Sequence, residues 1–267
     1  QLPGNRDIEN PEHRAWICKV WGVKDDELPR KGKSTVELFE AMHRGEVRGL
    51  LNICFNPAVS HPDGNFAKET LEKLDFLCVV DFFLSETARY ADVVLPGSLH
   101  EEEEGTSTTA EARVVRVRAA VQPPGNARTD SWILLELARR LGKAKYFPFQ
   151  NTREIFEELR VASKGGTADY SGITWERVEK EMGVFWPCPE VDHPGTPRLF
   201  EDHRSYHADG KFHLHATPHR PSFEVPDAEY PLYYTTGRSV FHYLSGTQTR
   251  RIKFLVDKCT GPVCEMH

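Results

Sequence analysis

The apolar positions of this chain change period along its length, and the changes divide it. Residues 76–80, Phe-Leu-Cys-Val-Val, form a short apolar run without alternation. A run of that length, rich in β-formers, predicts a strand buried on both faces, as in a parallel sheet. Asp81 ends it, residues 85–89 suit one helical turn, and a second run, Val93-Val94-Leu95, is stopped by Pro96-Gly97. The two runs are about a dozen residues apart, near the minimum for a parallel crossover. Upstream, residues 47–55 predict another strand, stopped by Asn56-Pro57. Helices are predicted over 11–20, 34–44 and 66–74. In the second of these Ser34 supplies a cap, Glu37 stands three residues on, and Val36, Leu38, Phe39 and Met42 form an apolar side. Helix and strand alternate, which predicts an α/β fold built on a doubly wound parallel sheet.

After Thr106 the period becomes two. Val115, Val117 and Ala119 fall on one side of the chain, Arg116 and Arg118 on the other, and Pro123-Pro124-Gly125 closes the segment as a hairpin or edge ribbon. Residues 130–141 return to helical spacing, with Ile133, Leu134, Leu137, Ala138 and Leu141 as a buried stripe, Thr129 or Asp130 as cap and Gly142 as stop. Helices are predicted again over 152–162 and 174–181. Residues 186–227 are dense in proline and read as a connection with a small hairpin turning at 208–211. A strand is predicted over 230–235, and a second strand-like segment lies at 252–256. Three regions result: 1–145 as an α/β domain, 146–227 as a helical and proline-rich connector, and 228–267 as the start of another domain.

Composition narrows the functional classes. The 267 residues carry a net charge of −6 with a pI near 6.1, without the basic face of a general nucleic-acid binder. No apolar run reaches the ~20 residues of a membrane span, and the polar start has no h-region. The six cysteines form no Cys-x-x-Cys pair. Cys54 and Cys78, inside predicted strands, are expected to be buried thiols in a reduced, cytoplasmic protein.

Candidate chemistry gathers at strand ends. Asn56, Ser60, Asp81, Ser98 and Asp130 each follow a predicted strand or open a helix. There a ribose or purine would meet its polar partners and a phosphate its backbone N–H groups, although caps and turns use the same residue types. Neither a GxGxxG nor a P-loop motif is present. The run Glu101, Glu102, Glu103, Glu104 resembles a metal site, yet adjacent carboxylates cannot all face one ion, and a solvated loop is the expectation. His213 and His215 share a strand face near His207 and His219, and read as an exposed hairpin. In 235–251, Arg238, Arg250 and Arg251 suit phosphates and Ser245, Thr247 and Thr249 suit hydrogen bonds to a cofactor; a surface loop with ordinary turns reads equally well.

Four stretches together resemble one family. FNP (55–57), VVDFFLSETARYADVVLPGSLHEEEEGT (79–106), RTDSW (128–132) and TTGRSVFHYLSGTQTRR (235–251) are similar to the prokaryotic molybdopterin oxidoreductases of the dimethyl-sulfoxide-reductase superfamily, the nitrate reductases and formate dehydrogenases above all. The resemblance implies a Rossmann-like domain, followed by the start of a C-terminal β-barrel domain. The ligand it implies is bis-molybdopterin guanine dinucleotide. Asn56, Ser60, Gly97 and Asp130 match positions at the guanosine end, with Asp81 and Ser98 beside them. Arg238, Ser239, His242, Ser245, Thr247 and Thr249 match the loop that grips the pterins. It further implies a small substrate, nitrate or formate, an electron-transfer partner, and a [4Fe–4S] cluster and molybdenum ligand upstream of Gln1. The alternative is a scaffold relative that keeps the fold without the cofactor. Where many relatives read Asn-x-Glu-Gly-Arg, this chain has Thr109, Glu111, Ala112 and Arg113.

With two isolated strands its last region cannot close a barrel. Amides in 236–251 are therefore expected to exchange with solvent much faster than those in 76–80 in the ligand-free chain; equal protection would refute this.

Overall fold

The computed structural model describes residues 1–259 and 261–266, and the chain divides into two compact units, Gln1–Asp202 and His203 onward. At the centre of the first lies a parallel sheet of β1 (Gly49–Ile53), β2 (Phe76–Asp81) and β3 (Val93–Pro96), with β2 in the middle. Leu51 pairs with Cys78 and Cys78 with Val93; two residues on, Ile53, Val80 and Leu95 form the next row. From Leu77 to Asp81 every residue of β2 is buried, as its unbroken apolar run requires.

One face of the sheet carries the main core. Leu77 and Val79 meet Phe39 and Met42 of α2 (Thr35–His43), Ala58 of the short α3 (Pro57–Ser60) and Ala67 and Leu71 of α4 (Gly64–Glu72). Helix α2 starts where the sequence predicts, with Ser34 and Glu37 in a reciprocal capping box. Asp63 caps α4 through the N–H groups of Asn65 and Phe66. On the opposite face Cys78 and Val80 are buried, whereas Leu51 and Val93 are exposed.

A second sheet, antiparallel, joins β4 (Gly105–Thr108), β5 (Arg113–Val117) and β6 (Val184–Phe185). It packs with α6 (Thr152–Ser163) and α7 (Trp175–Lys180) around Val114, Phe156, Ile173, Val178 and Val184. Here alternation alone leaves open which side is buried. The buried side of β5 is the side of Val114 and Arg116, not that of Val115 and Val117. Arg116 is covered because its guanidinium stacks over Trp175 at 4.2 Å and pairs with Glu104 and Glu179. An arginine with its charge answered can face inward along its alkyl stem. Helix α1 (Pro11–Trp21) closes the unit against α6 through Ile17 and Ala162. Helix α5 (Asp130–Arg140) is capped by Thr129, but only Ile133 and Ala138 of its stripe are buried; Leu134, Leu137 and Leu141 are exposed.

The second unit departs from expectation. Residues 230–235 form no strand, and Leu232, Tyr233 and Tyr234 are exposed, because no described segment pairs with them. Residues 252–256 fall mostly in a helix, α8 (Lys253–Lys258), where Lys253 reaches Asp257 one turn on at 2.8 Å. A turn forms at 208–209, the Gly210 N–H donating to the His207 carbonyl, without flanking strands. His213 instead stacks on His207 at 3.9 Å and pairs with Asp209.

Both crossovers of the parallel sheet are tied to one another. The Asn56 side chain, just after β1, donates to Glu86 Oε2 (2.8 Å) and accepts from both the N–H and the hydroxyl of Thr87 (3.2 and 2.7 Å). Thr87 opens the 3₁₀ turn Thr87–Tyr90 between β2 and β3, and its oxygen accepts the Ala58 N–H at 3.1 Å. Thr87 is fully buried, so Thr87→Val strips partners from two buried groups. The expected cost is about 1–3 kcal/mol, read as a lower urea midpoint. A change below about 0.5 kcal/mol would show that the bracket contributes nothing.

Candidate functional site

Because the three strands are parallel, their carboxyl ends share one edge, and Asn56, Asp81 and Gly97 stand there together. Asp81 is 6% exposed; its carboxylate accepts the Phe83 N–H, and its carbonyl accepts the Gly97 N–H at 3.2 Å. Ser60 is exposed and donates its hydroxyl to the Asn56 carbonyl at 3.0 Å. Asn56 is buried and its amide is committed to the bracket with Glu86 and Thr87. Its position at the edge matches the sequence reading, but the work of its side chain is to hold the two loops in place.

The acidic run reaches this edge. Ser98, buried, donates its hydroxyl to Glu103 Oε1, and the same oxygen accepts the Asp130 N–H at 3.1 Å. Glu102 accepts the Leu99 N–H, and Glu104 pairs with Arg116. Residues 101–104 therefore form neither a metal site nor a merely solvated loop. Each of the last three carboxylates holds a different element. No spacing motif announces this; the only signal was four carboxylates next to a strand end. Among the described residues no group of three or more His, Cys, Asp and Glu side chains could hold a metal ion.

Asp130, the first residue of α5, lies at the centre. A methyl group placed on Gly97 would stand 2.9 Å from Asp130 Oδ1 and 3.3 Å from Val80 Cγ1, so only glycine lets the loop after β3 pass this close. Asp130 Oδ2 accepts the thiol of Cys54 at 3.4 Å, while Oδ1 is buried and has no hydrogen-bond partner. Desolvation raises the Asp130 pKa, and repulsion from Glu103 and Asp81 adds to it. Cys54 is not the buried strand thiol the sequence suggests. It lies just past β1, exposed as a residue, with φ of 50°. Partial desolvation and then the Asp130 charge push its thiol up to about 12. Cys78 is buried, as expected.

Beside Gly97 opens a cleft of about 360 Å³, walled by Phe82, Phe83, Pro96, Leu99 and Asn126. Phe82 and Phe83 meet edge to face at 5.3 Å. The cleft is largely apolar and has Glu102 at its wall, a lining suited to a flat, partly polar group.

In the second unit the loop over 238–251 folds on itself. His242 Nδ1 lies 3.2 Å from Thr249 Oγ1, which also accepts the Tyr243 N–H. Ser245 and Thr247 share a hydrogen bond between hydroxyls at 3.0 Å, and Ser239 donates to Cys259 Sγ at 3.5 Å. Arg238 is exposed. The structure thus gathers Asn56, Ser60, Asp81, Gly97, Ser98 and Asp130 at one edge of the first unit, and places the other six candidates in one loop of the second.

Comparison with known proteins places the chain in a family. A family model described as molybdopterin oxidoreductase matches residues 17–140. The chain is 50% identical to the assimilatory nitrate reductase catalytic subunit of Bacillus subtilis, over its whole length and 38% of that protein. It is 38% identical to the F420-dependent formate dehydrogenase subunit alpha of Methanocaldococcus jannaschii, over 91% of the chain and 35% of that protein. It thus spans little more than a third of the length of these relatives. Among solved structures, acetylene hydratase from Pelobacter acetylenicus shares the fold, with a TM-score of 0.50 at 23% identity over 65% of this chain and 24% of that one. The extent of these matches, laid over the sheet edge, shows that the chain belongs to the molybdopterin oxidoreductase family, in the dimethyl-sulfoxide-reductase superfamily of nitrate reductases and formate dehydrogenase alpha subunits.

Proposed function

We propose that the first unit binds the guanosine end of a molybdopterin guanine dinucleotide, as part of the catalytic subunit of a molybdenum oxidoreductase. One observation carries this reading: Asp130 Oδ1 is buried at the ligand edge without a partner. Native structures leave few such atoms unanswered. A guanine base offers adjacent N–H donors from its ring and its amino group, the complement of one carboxylate. The apolar cleft beside Gly97 supplies aromatic surface for a planar base, which gains from stacking. Ser60 is within the same edge for the sugar or phosphate, and Asp81 and Ser98 fix the loops that border it. The loop with Arg238, Ser239, His242, Ser245, Thr247 and Thr249 is assigned to the pterins, where Arg238 supplies charge for a phosphate.

When bound, the molybdenum–pterin group supplies the transfer of an oxygen atom or a hydride equivalent; this chain supplies binding, orientation and electrostatics. Nitrate is the substrate we favour, because the more similar of the two relatives compared above, at 50% identity, is a nitrate reductase; formate is the second reading. The same resemblance assigns a [4Fe–4S] cluster and an electron-transfer partner to the whole enzyme. No helix among the described residues is long and apolar enough to cross a membrane.

Titration of the 267-residue chain with GMP tests the reading. GMP is expected to bind more tightly than IMP, which lacks the amino donor, and AMP least. Asp130→Asn removes a charged acceptor and is expected to weaken GMP by about tenfold or more. Equal affinity for GMP and AMP would refute the guanosine site, and no binding of either would favour the scaffold alternative. Gly97→Ala drives a methyl toward Asp130 Oδ1, with an expected loss of about tenfold through overpacking. The pH dependence has a definite sign. Only the ionised carboxylate accepts both base donors, so affinity falls as pH drops through the Asp130 pKa. Because that pKa is raised, the fall begins at higher pH than for an ordinary aspartate. Asp130→Asn should flatten the profile; an unchanged profile would assign it to another group.

A further inference from the structure

We propose that Cys54 is a positioning residue: its thiol holds the Asp130 carboxylate by Oδ2 and keeps Oδ1 turned to the ligand. The proposal rests on the reading of Asp130 as the carboxylate that recognises the base. Its own support is geometric. The Cys54 N–H donates to the Val80 carbonyl at 2.9 Å, so the residue is fastened to the central strand. From there the thiol reaches Asp130 Oδ2 at 3.4 Å, across 76 positions of sequence.

The two oxygens of Asp130 are therefore unequal. Oδ2 has a donor, and Oδ1 has none although it is buried. A carboxylate free to rotate about its terminal bond would spread its orientation; one held at a single oxygen presents the other in a fixed direction. Glu103 holds the same residue by its backbone, accepting the Asp130 N–H. Backbone and side chain of Asp130 are thus clamped separately, and Cys54 is the clamp on the side chain.

The Cys54 backbone is in the left-handed region, with φ of 50°, where a side chain is uncommon and glycine is easier. Glycine at 54 would relax the backbone and remove the whole side chain, so a cysteine in this conformation carries a local cost that the hydrogen bond to Asp130 offsets. The charges that act on the thiol are the carboxylates of Asp130, which it touches, and of Asp81 and Glu103.

Two measurements on the full 267-residue chain test the assignment. In the first, iodoacetamide alkylation of Cys54 is followed by mass spectrometry at about pH 8, where reaction goes through the thiolate. Asp130→Asn removes the nearest negative charge and is expected to speed alkylation of Cys54 by about tenfold, the effect of one pKa unit. Cys18 serves as the reference and should not change. A thiol whose ionisation is set by burial alone would show no such response, and an unchanged Cys54 rate in Asp130→Asn overturns the proposal. In the second, Cys54→Gly, which relieves the backbone, is expected to weaken GMP by about tenfold, while Cys54→Ser, which keeps a donor, stays within about threefold of wild type. Wild-type affinity in Cys54→Gly also overturns it. If the unsubstituted chain fails to bind GMP, the guanosine reading falls, and the alkylation comparison alone decides whether Cys54 holds Asp130.

Discussion

Strand β2 is hydrogen-bonded to a parallel neighbour on each side and is buried from Leu77 to Asp81. Parallel pairing puts all three carboxyl ends on one edge. It also forces each connection to cross the sheet, and the one between β2 and β3 is near the shortest that can do so. A crossover that short has little core of its own. Its polar groups are satisfied by the loop next door, through Thr87 and Asn56, and the two loops become one body. The carboxyl edge is therefore held in shape by the protein alone, and a ligand bound there would meet a lower ordering cost.

Electrostatics at that edge run against stability. Burial raises the Asp130 pKa, the charges of Glu103 and Asp81 raise it further, and Oδ1 is left without a donor. An unanswered buried acceptor costs about 1–3 kcal/mol. Part of the cost is offset at the start of α5, where the Glu103 carboxylate takes up a free helical N–H and faces the positive end of the helix. The remainder is what a donor-bearing base would relieve, and functional sites commonly carry such local debts.

The parallel sheet was legible because its strands are unalternated apolar runs ended by Asn-Pro, by Asp81 and by Pro-Gly, and the α2 capping box because its spacing is local. What was not legible depends on partners far along the chain. The inward face of β5 is decided by Trp175 and Glu179, which lie some sixty positions from Arg116, and alternation alone does not say which side faces in. Residues 252–256 look like a strand by composition, yet Lys253 and Asp257 one turn apart fit a helix, and no strand among the described residues of that unit is there to pair. Cys54 appeared to sit within a strand because the apolar run continues through it; the backbone turns left-handed at that residue. Of the candidate site, the edge could be read from strand ends, whereas the roles of Glu103 and Cys54 could not, since each is defined by a bond to Asp130.

The acidic run has a consequence of a different kind. Glu102 bonds back to Leu99, Glu103 to Ser98 and to α5, and Glu104 to Arg116 of the second sheet. Three consecutive residues point to three separate places, so the segment works like a key cut to a fixed length. Its net charge matters less than its phase. Insertion or deletion of a single residue would exchange every partner at once, whereas replacement of the exposed Glu101 side chain would exchange none. In descendants of this chain the loop should drift in composition at its first position and hold its length.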